Sequence, residues 1–184
     1  MSSKTKIINA YEAIPAIVAQ YRSKGKKIVL TQGSFDMLHI GHGRYLTEAR
    51  ARGDVLFVGL DSDEKIKARK GPERPVVPEE ERIEMLTYLS SVDQVVLKPL
   101  HAPKWQLIKL IAPDVLIATR ETYTPAEITE LERICGSVVV LEPQATTSTS
   151  AKLRRVQIGA AKKMTKSLSL KLIKAIEDAL EELK

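Results

Sequence analysis

The chain has 184 residues, 43% of them apolar, enough for one compact domain, or one domain with an appendage, to bury its own core. Aromatic residues make up only 4%, which argues against a stacking platform for single-stranded nucleic acid, and the single cysteine, Cys135, excludes an intrachain disulfide and a thiolate metal cluster. The net charge is +6, yet residues 151–174 alone carry eight cations and no acid, so the basic character belongs to the C-terminal end.

The opening Met1-Ser2-Ser3-Lys4-Thr5-Lys6 is polar and no long apolar run follows it, so neither a signal peptide nor a membrane span is expected, and the protein is expected to be cytoplasmic. Residues 8–21 have the spacing of an opening helix, against which Pro15 counts. Short apolar, β-branched segments then appear at 27–30, 55–60, 94–97, 114–118 and 137–141. Between them lie segments of helical spacing at 44–52, 79–89, 104–111 and 126–134. This alternation predicts a Rossmann-like α/β fold, an open parallel five-stranded sheet with helices on both faces. The nearly continuous apolar run VLFVGL at 55–60 fits a strand covered on both sides.

Several helix ends are marked in the sequence. Thr124-Pro125-Ala126-Glu127 has the pattern of a capping box with proline at the first helical position. Pro78 precedes Glu79-Glu80-Glu81, placing acids at the positive end of a helix dipole. Gly53 and Gly136 follow helical stretches, where C-cap glycines are common. Residues 151–164 and 167–183 read as two terminal helices, the second with Leu168, Leu172, Ile176, Leu180 and Leu183 on one face. The expected organisation is a domain over 1–158, including the N-terminal helix, and a basic helical extension over 159–184.

The segment Gly33-Ser34-Phe35-Asp36-Met37-Leu38-His39-Ile40-Gly41-His42 follows the first long strand and opens a helix. A glycine-bearing loop at the carboxyl end of a strand lets backbone N–H groups approach phosphate, and the helix N-terminus favours negative charge. His39 and His42 are three apart and can face the same side of one turn. Two imidazole N–H donors there suit a phosphoryl group gaining charge in a displacement, where positioning and electrostatic stabilisation do most of the work. The ordinary alternative is a surface histidine beside a helix-capping one. No metal site is expected, since two histidines have no clear third ligand.

The same ten residues resemble the signature of the cytidylyltransferase-like nucleotidyltransferases, the HxGH branch of enzymes distantly related to class I aminoacyl-tRNA synthetases. Gly33, Phe35, Asp36, His39, Gly41 and His42 carry the likeness. The resemblance implies that His39 and His42 contact a nucleoside triphosphate and stabilise the transition state at its α-phosphate, with Gly33, Ser34, Phe35 and Gly41 lining the nucleotide.

Two further segments fit that picture. In Lys65-Ile66-Lys67-Ala68-Arg69-Lys70-Gly71-Pro72-Glu73-Arg74-Pro75, cations beside a glycine could clamp phosphates or simply form a solvated loop. KGPERP followed by Glu81-Arg82 resembles the adenylyltransferase domain of ADP-heptose synthases, and by that likeness Lys70 is expected near the phosphates. Thr146-Thr147-Ser148-Thr149-Ser150, ahead of the basic helix, is either an anion site or an ordinary N-cap. It resembles the family's triphosphate-binding element, which assigns Ser148, Thr149 and Ser150 to the phosphates, with Arg154 and Arg155 a turn further on.

The resemblance runs from about Ile17 to Arg155 and implies transfer of a nucleotidyl group from an NTP, ATP first, to a phosphorylated small molecule, with a heptose or other sugar 1-phosphate as the best match. Magnesium is expected to accompany the triphosphate. CTP with a polyol or amino-alcohol phosphate, and ATP with flavin mononucleotide, remain alternatives. Thr119-Arg120-Glu121-Thr122-Tyr123 departs from the relatives' pattern, which has a lysine, two glycines and an aspartate before the tyrosine, and Ser34 stands where cysteine is frequent. Arg120, just past a strand, is expected to contact the acceptor's phosphate. Asp36 is a candidate for orienting the acceptor or an ion, with a turn-forming role as its alternative. Cys135 and Trp105 are expected to pack, and His101 to lie in a loop. A homodimer is a further expectation. The reading from a different class is a nucleotide- or nucleic-acid-binding module working through the basic tail.

Overall fold

The computed structural model describes residues 3–120, 122–142, 144 and 149–182. The chain divides into two compact units, residues 1–145 and 146–184.

The first unit is built on six parallel strands: β1 (Ile7–Ile8), β2 (Ile28–Gly33), β3 (Val55–Asp61), β4 (Gln94–Lys98), β5 (Val115–Ala118) and β6 (Val138–Val140). Their order across the sheet is β1-β4-β3-β2-β5-β6. The five expected strands are all present, and β1 adds an edge strand in which Ile7 and Ile8 pair with Val95 and Val96. Two residues are too few to show a period, so only pairing reveals it.

Side chains alternate across the sheet and build a core on each face. Ile28, Leu30, Phe57 and Leu116 point to one side, towards helices α1 (Ile14–Arg22), α5 (Gln106–Ile111) and α6 (Pro125–Leu131). Val29, Leu56, Val58 and Ile117 point to the other, towards α2 (Ile40–Arg50) and α4 (Glu79–Thr87). Cys135 lies in the first core, and burial pushes its thiol up to about 11. Trp105 packs against the same core.

The local signals at the helix ends act as their chemistry demands. Thr124 Oγ1 accepts from Glu127 N (3.3 Å) while Glu127 Oε2 accepts from Thr124 N (3.0 Å), closing the expected capping box. The opening helix is shorter than expected: a 3₁₀ turn at Tyr11–Ala13 leads into α1, which starts at Ile14 so that Pro15 falls in the first turn, where its missing N–H costs nothing. Gly53 and Gly136 are not left-handed caps. A Cβ on Gly53 would lie 2.8 Å from the Lys27 carbonyl oxygen, and one on Gly136 would lie 2.6 Å from that of Asp114. Both allow a helix–strand connection to pass close to the start of the neighbouring, earlier strand, β2 for Gly53 and β5 for Gly136.

A helix that apolar spacing did not announce, α3 (Asp63–Lys70), follows β3. Ile66 is its one buried residue, so it carries no stripe; what defines it is the Ser62 cap on Lys65 N, acids in the first turn, bases in the last, and Gly71 at φ 95° after it.

At the sheet's centre, a Cβ on Gly59 would lie 2.7 Å from Leu107 Cδ2 and 2.9 Å from Lys98 Cδ. Gly59→Ala is therefore expected to destabilise the protein by about 1–3 kcal/mol in urea unfolding. An unchanged midpoint would mean that Leu107 and Lys98 yield without cost.

The second unit is one helix, α7 (Thr149–Glu182), of 34 residues. The two terminal helices expected from the sequence are thus continuous. No proline interrupts them, and Thr165 Oγ1 donates to the Ala161 carbonyl (3.0 Å), which satisfies its hydroxyl within the helix.

Candidate active site

In the sheet, β2 lies between β3 and β5: the chain steps one way from β2 to β3 and later returns to its other side as β5. Ligands of open parallel sheets bind outside the carboxyl ends of the strands at such a switch point. The loop leaving β2 there is residues 34–39. Phe35 (φ 42°) and Met37 (φ 51°) both adopt the left-handed region, uncommon for residues with a Cβ.

Two buried side chains hold this loop. Phe35 is 5% exposed, turned into the core and folded against Gly33, whose Cβ would meet the ring at 3.1 Å. Asp36 is 2% exposed. Its carboxylate accepts from Arg74 Nε (2.9 Å) and from the amides of Val76 (3.1 Å) and Val77 (3.1 Å), and Arg74 Nη2 approaches it to 2.6 Å. Burial by itself would raise its pKa. The Val77 and Val76 amides and Arg74 outweigh that and hold the carboxyl below its ordinary range. These bonds tie the motif loop to residues 74–77.

The loop ends in a reciprocal cap made of two histidines. His39 is the N-cap of α2; its Nδ1 accepts from Gly41 N (3.0 Å), and His42 Nδ1 accepts from His39 N (3.3 Å). A neutral imidazole that accepts at Nδ1 carries its proton on Nε2. The cap therefore selects the tautomer of both rings, leaving Nε2–H as the donor on each. The ring centroids are 4.1 Å apart, and Phe35 packs edge-on to His42 at 5.7 Å. Capping and donation are compatible in the same two residues.

Helix α3 delivers Lys70 to the same loop, where its Nζ donates to Ser34 Oγ (3.0 Å). Desolvation of the ammonium, then the Arg69 and Arg74 cations, hold its pKa below that of an ordinary lysine, with Asp36 and Asp61 acting the other way. Arg69 in turn pairs with Asp61 (2.9 Å), which also receives Lys98 Nζ (3.2 Å). Around the carboxyl end of β2, Thr31 Oγ1 bonds Tyr45 Oη (2.7 Å) and Gln32 Nε2 donates to Tyr123 Oη (3.0 Å). Burial, and for Tyr123 nearby charge, raises both phenol pKa values.

The site residues expected from the sequence separate into three groups. Gly33, Ser34, Phe35, Asp36, His39, Gly41, His42 and Lys70 come together at the switch point. Arg120 follows the carboxyl end of β5 but is engaged elsewhere: it is exposed, and its Nε and Nη2 fork onto Glu142 Oε1 at 2.7 and 2.6 Å. Ser148 lies outside the described residues, as do the side chains of Thr149 and Ser150, whose backbone opens α7 in the second unit.

The sequence reading gave no structural role to Arg74, Asp61 or Arg82. Arg82 is 2% exposed, and its guanidinium bonds Val77 O (2.9 Å), Ser34 O (2.5 Å), Asp61 O (3.0 Å) and Asp63 Oδ1 (2.7 Å). A signal was available: Arg82 shares the helix stripe of Ile83 and Leu86, and a cation on an apolar face must find internal partners.

Among the described residues no group of three or more His, Cys, Asp or Glu is arranged to hold a metal. The acids bordering the site are engaged by cations: Asp36 by Arg74, Asp61 by Arg69 and Lys98, and Asp63 by Arg82. This donor set does not fit a divalent ion held by the protein itself. No helix of the described residues is long and apolar enough to cross a membrane.

Comparison with known proteins agrees with this geometry. A family model described as cytidylyltransferase-like matches residues 30–175, so the likeness extends beyond Arg155 into the basic helix. A protein of Sulfurimonas denitrificans named bifunctional protein HldE is 41% identical over 148 residues, covering 80% of this chain and 31% of that protein. Its namesake from Aliarcobacter butzleri is 45% identical over 116 residues, covering 63% of this chain and 24% of its own length. The chain thus spans a third or less of these curated relatives. Among solved structures, a lipopolysaccharide core biosynthesis protein from Thermoplasma volcanium superposes with a TM-score of 0.56 at 25% identity, over 65% of this chain and 98% of that one. Pantoate-beta-alanine ligase from Francisella tularensis shares the fold, with a TM-score of 0.56 at 16% identity over 73% of this chain and 66% of its own. With the family match running across most of the chain, and the motif loop and paired histidines in place at the sheet's switch point, the chain belongs to the cytidylyltransferase-like family of nucleotidyltransferases.

Proposed function

We propose that the protein transfers AMP from ATP to a sugar 1-phosphate, a heptose 1-phosphate in the first instance, and releases pyrophosphate. The observation that carries the reading is the histidine pair whose shared cap leaves Nε2–H as the donor on each ring, at the end of a loop whose first residue, Ser34, receives Lys70. An oxygen of the acceptor's phosphate attacks the α-phosphorus, a new P–O bond forms, and the bond to the β-phosphate oxygen breaks with its electron pair on pyrophosphate. The nucleophile is already an anion, so no general base is needed. His39 and His42 donate to the phosphate oxygens as charge grows, and Lys70 neutralises the departing end. Magnesium, in this reading, comes with the nucleotide and offsets phosphate charge.

The sugar acceptor is supported by the KGPERP segment with Glu81-Arg82, by relatives named HldE, and by the structural neighbour described as a lipopolysaccharide core biosynthesis protein. Arg120 is proposed to meet the acceptor's phosphate by exchanging Glu142 for it, since a guanidinium fork suits either anion.

The test is pyrophosphate release from each of the four NTPs against a panel of phosphorylated acceptors. Release with ATP and heptose 1-phosphate supports the reading, preference for CTP moves the protein to a polyol or amino-alcohol phosphate, and silence with every pair overturns it. Lys70→Ala is expected to lower kcat/KM on the order of 10²-fold. Because the Lys70 pKa is depressed, its charge is present at low pH and is lost as pH rises, earlier than for an ordinary lysine. The alkaline limb of the pH–rate profile should therefore move upward in Lys70→Arg. A limb at the same pH in both proteins would assign it elsewhere.

A further inference from the structure

Arg82 is the largest fully buried side chain among the described residues. A buried guanidinium persists only where its N–H groups are bonded and its charge is met. Asp63 meets the charge, yet the other bonds go to three main-chain carbonyls on separate segments: Ser34 in the motif loop, Asp61 at the end of β3, and Val77 before α4. Ser34 is held at both ends, its carbonyl on Arg82 and its hydroxyl on the Lys70 ammonium. Asp61 likewise joins the two systems, its carbonyl on Arg82 and its carboxylate on Arg69, the neighbour of Lys70. The guanidinium therefore ties the loop after β2 to the end of β3 and the start of α3, and through Ser34–Lys70 and Asp61–Arg69 it is linked to the end of α3.

We propose that Arg82 is a positioning residue for triphosphate binding, acting through Ser34 and Lys70 without touching the nucleotide. The proposal rests on the functional reading that the triphosphate lies beside these two residues. It also accounts for why a charged residue occupies an apolar helix face: no hydrophobic side chain could hold three carbonyls from three segments at once. Lysine in its place keeps the charge near Asp63 but cannot bond in the same fan, since its ammonium is a single point at the end of a flexible stem.

The experiment is a double-mutant cycle on ATP affinity, measured by calorimetry without acceptor, in wild type, Arg82→Lys, Lys70→Ala and the double variant. Arg82→Lys is expected to weaken ATP binding about tenfold in the wild-type background and less than about threefold once Lys70 is gone, because neighbours that act together are not additive. A purely structural role would weaken both backgrounds equally, and that result overturns the proposal. If Arg82→Lys does not fold, Asp63→Asn, which leaves Arg82 in place but removes its counter-charge, goes through the same cycle with the same expected non-additivity. Wild-type protein that does not bind ATP would overturn the functional reading and this proposal with it. Wild-type binding with additive variants overturns the Arg82 proposal alone.

Discussion

The double replacement His39→Asn/His42→Gln is expected to abolish pyrophosphate release while leaving the melting temperature nearly unchanged. Each imidazole has two assigned functions: its Nδ1 caps α2, and in the proposed reaction its Nε2–H is the donor. Asparagine is a favoured N-cap, and glutamine is a normal reciprocal partner at the third helical position, so the pair restores the cap while both imidazole Nε2–H donors are lost, the remaining amide NH2 groups being held near the backbone by the capping oxygens. Loss of a single such donor typically costs on the order of 10²–10³-fold in kcat, so the double loss should leave the enzyme at background. His42→Ala alone should add a stability loss of about 0.5–2 kcal/mol, the usual worth of a cap. Activity of the Asn/Gln variant near wild type would reduce both histidines to helix caps and remove them from the chemistry.

Asp36→Ala is expected to destabilise the protein more than Gly59→Ala or His42→Ala, by about 3–5 kcal/mol, because it strands Arg74 and the Val76 and Val77 amides in a buried place. The same carboxylate sets a pH dependence. Its pKa is below the ordinary value in the folded state, so its contribution is fully present above the unfolded carboxyl pKa and disappears as pH falls through the folded one. Wild type should therefore lose stability more steeply than Asp36→Asn below about pH 4, where unfolded aspartates begin to take up protons. Parallel curves for the two proteins would show that the latch contributes nothing through its charge. The variant should also bind ATP poorly, since residues 74–77 are what Asp36 holds against the motif loop.

Sequence alone determined what depends on neighbours a few residues apart. Apolar periodicity located five strands and most of the helices, and the Thr124–Glu127 box and the acids after Pro78 lie where local capping chemistry puts them. The GSFDMLHIGH segment was legible for the same reason: its glycines, histidines and helix start are contiguous. Lys70 was reached only through resemblance, because its partner Ser34 is 36 positions away. Tertiary structure decided the rest. It added β1, which exists because β4 offers it an edge, and α3, whose polar surface carries no stripe to read. It turned Gly53 and Gly136 from expected caps into close approaches to Lys27 and Asp114. It gave the Asp36 carboxylate to Arg74, 38 positions on, and joined Arg82 to Ser34 across 48. Periodicity and capping are short-range physics, written in adjacent residues. Which buried charge meets which carbonyl is settled only when separate strands bring their ends to one edge of the sheet.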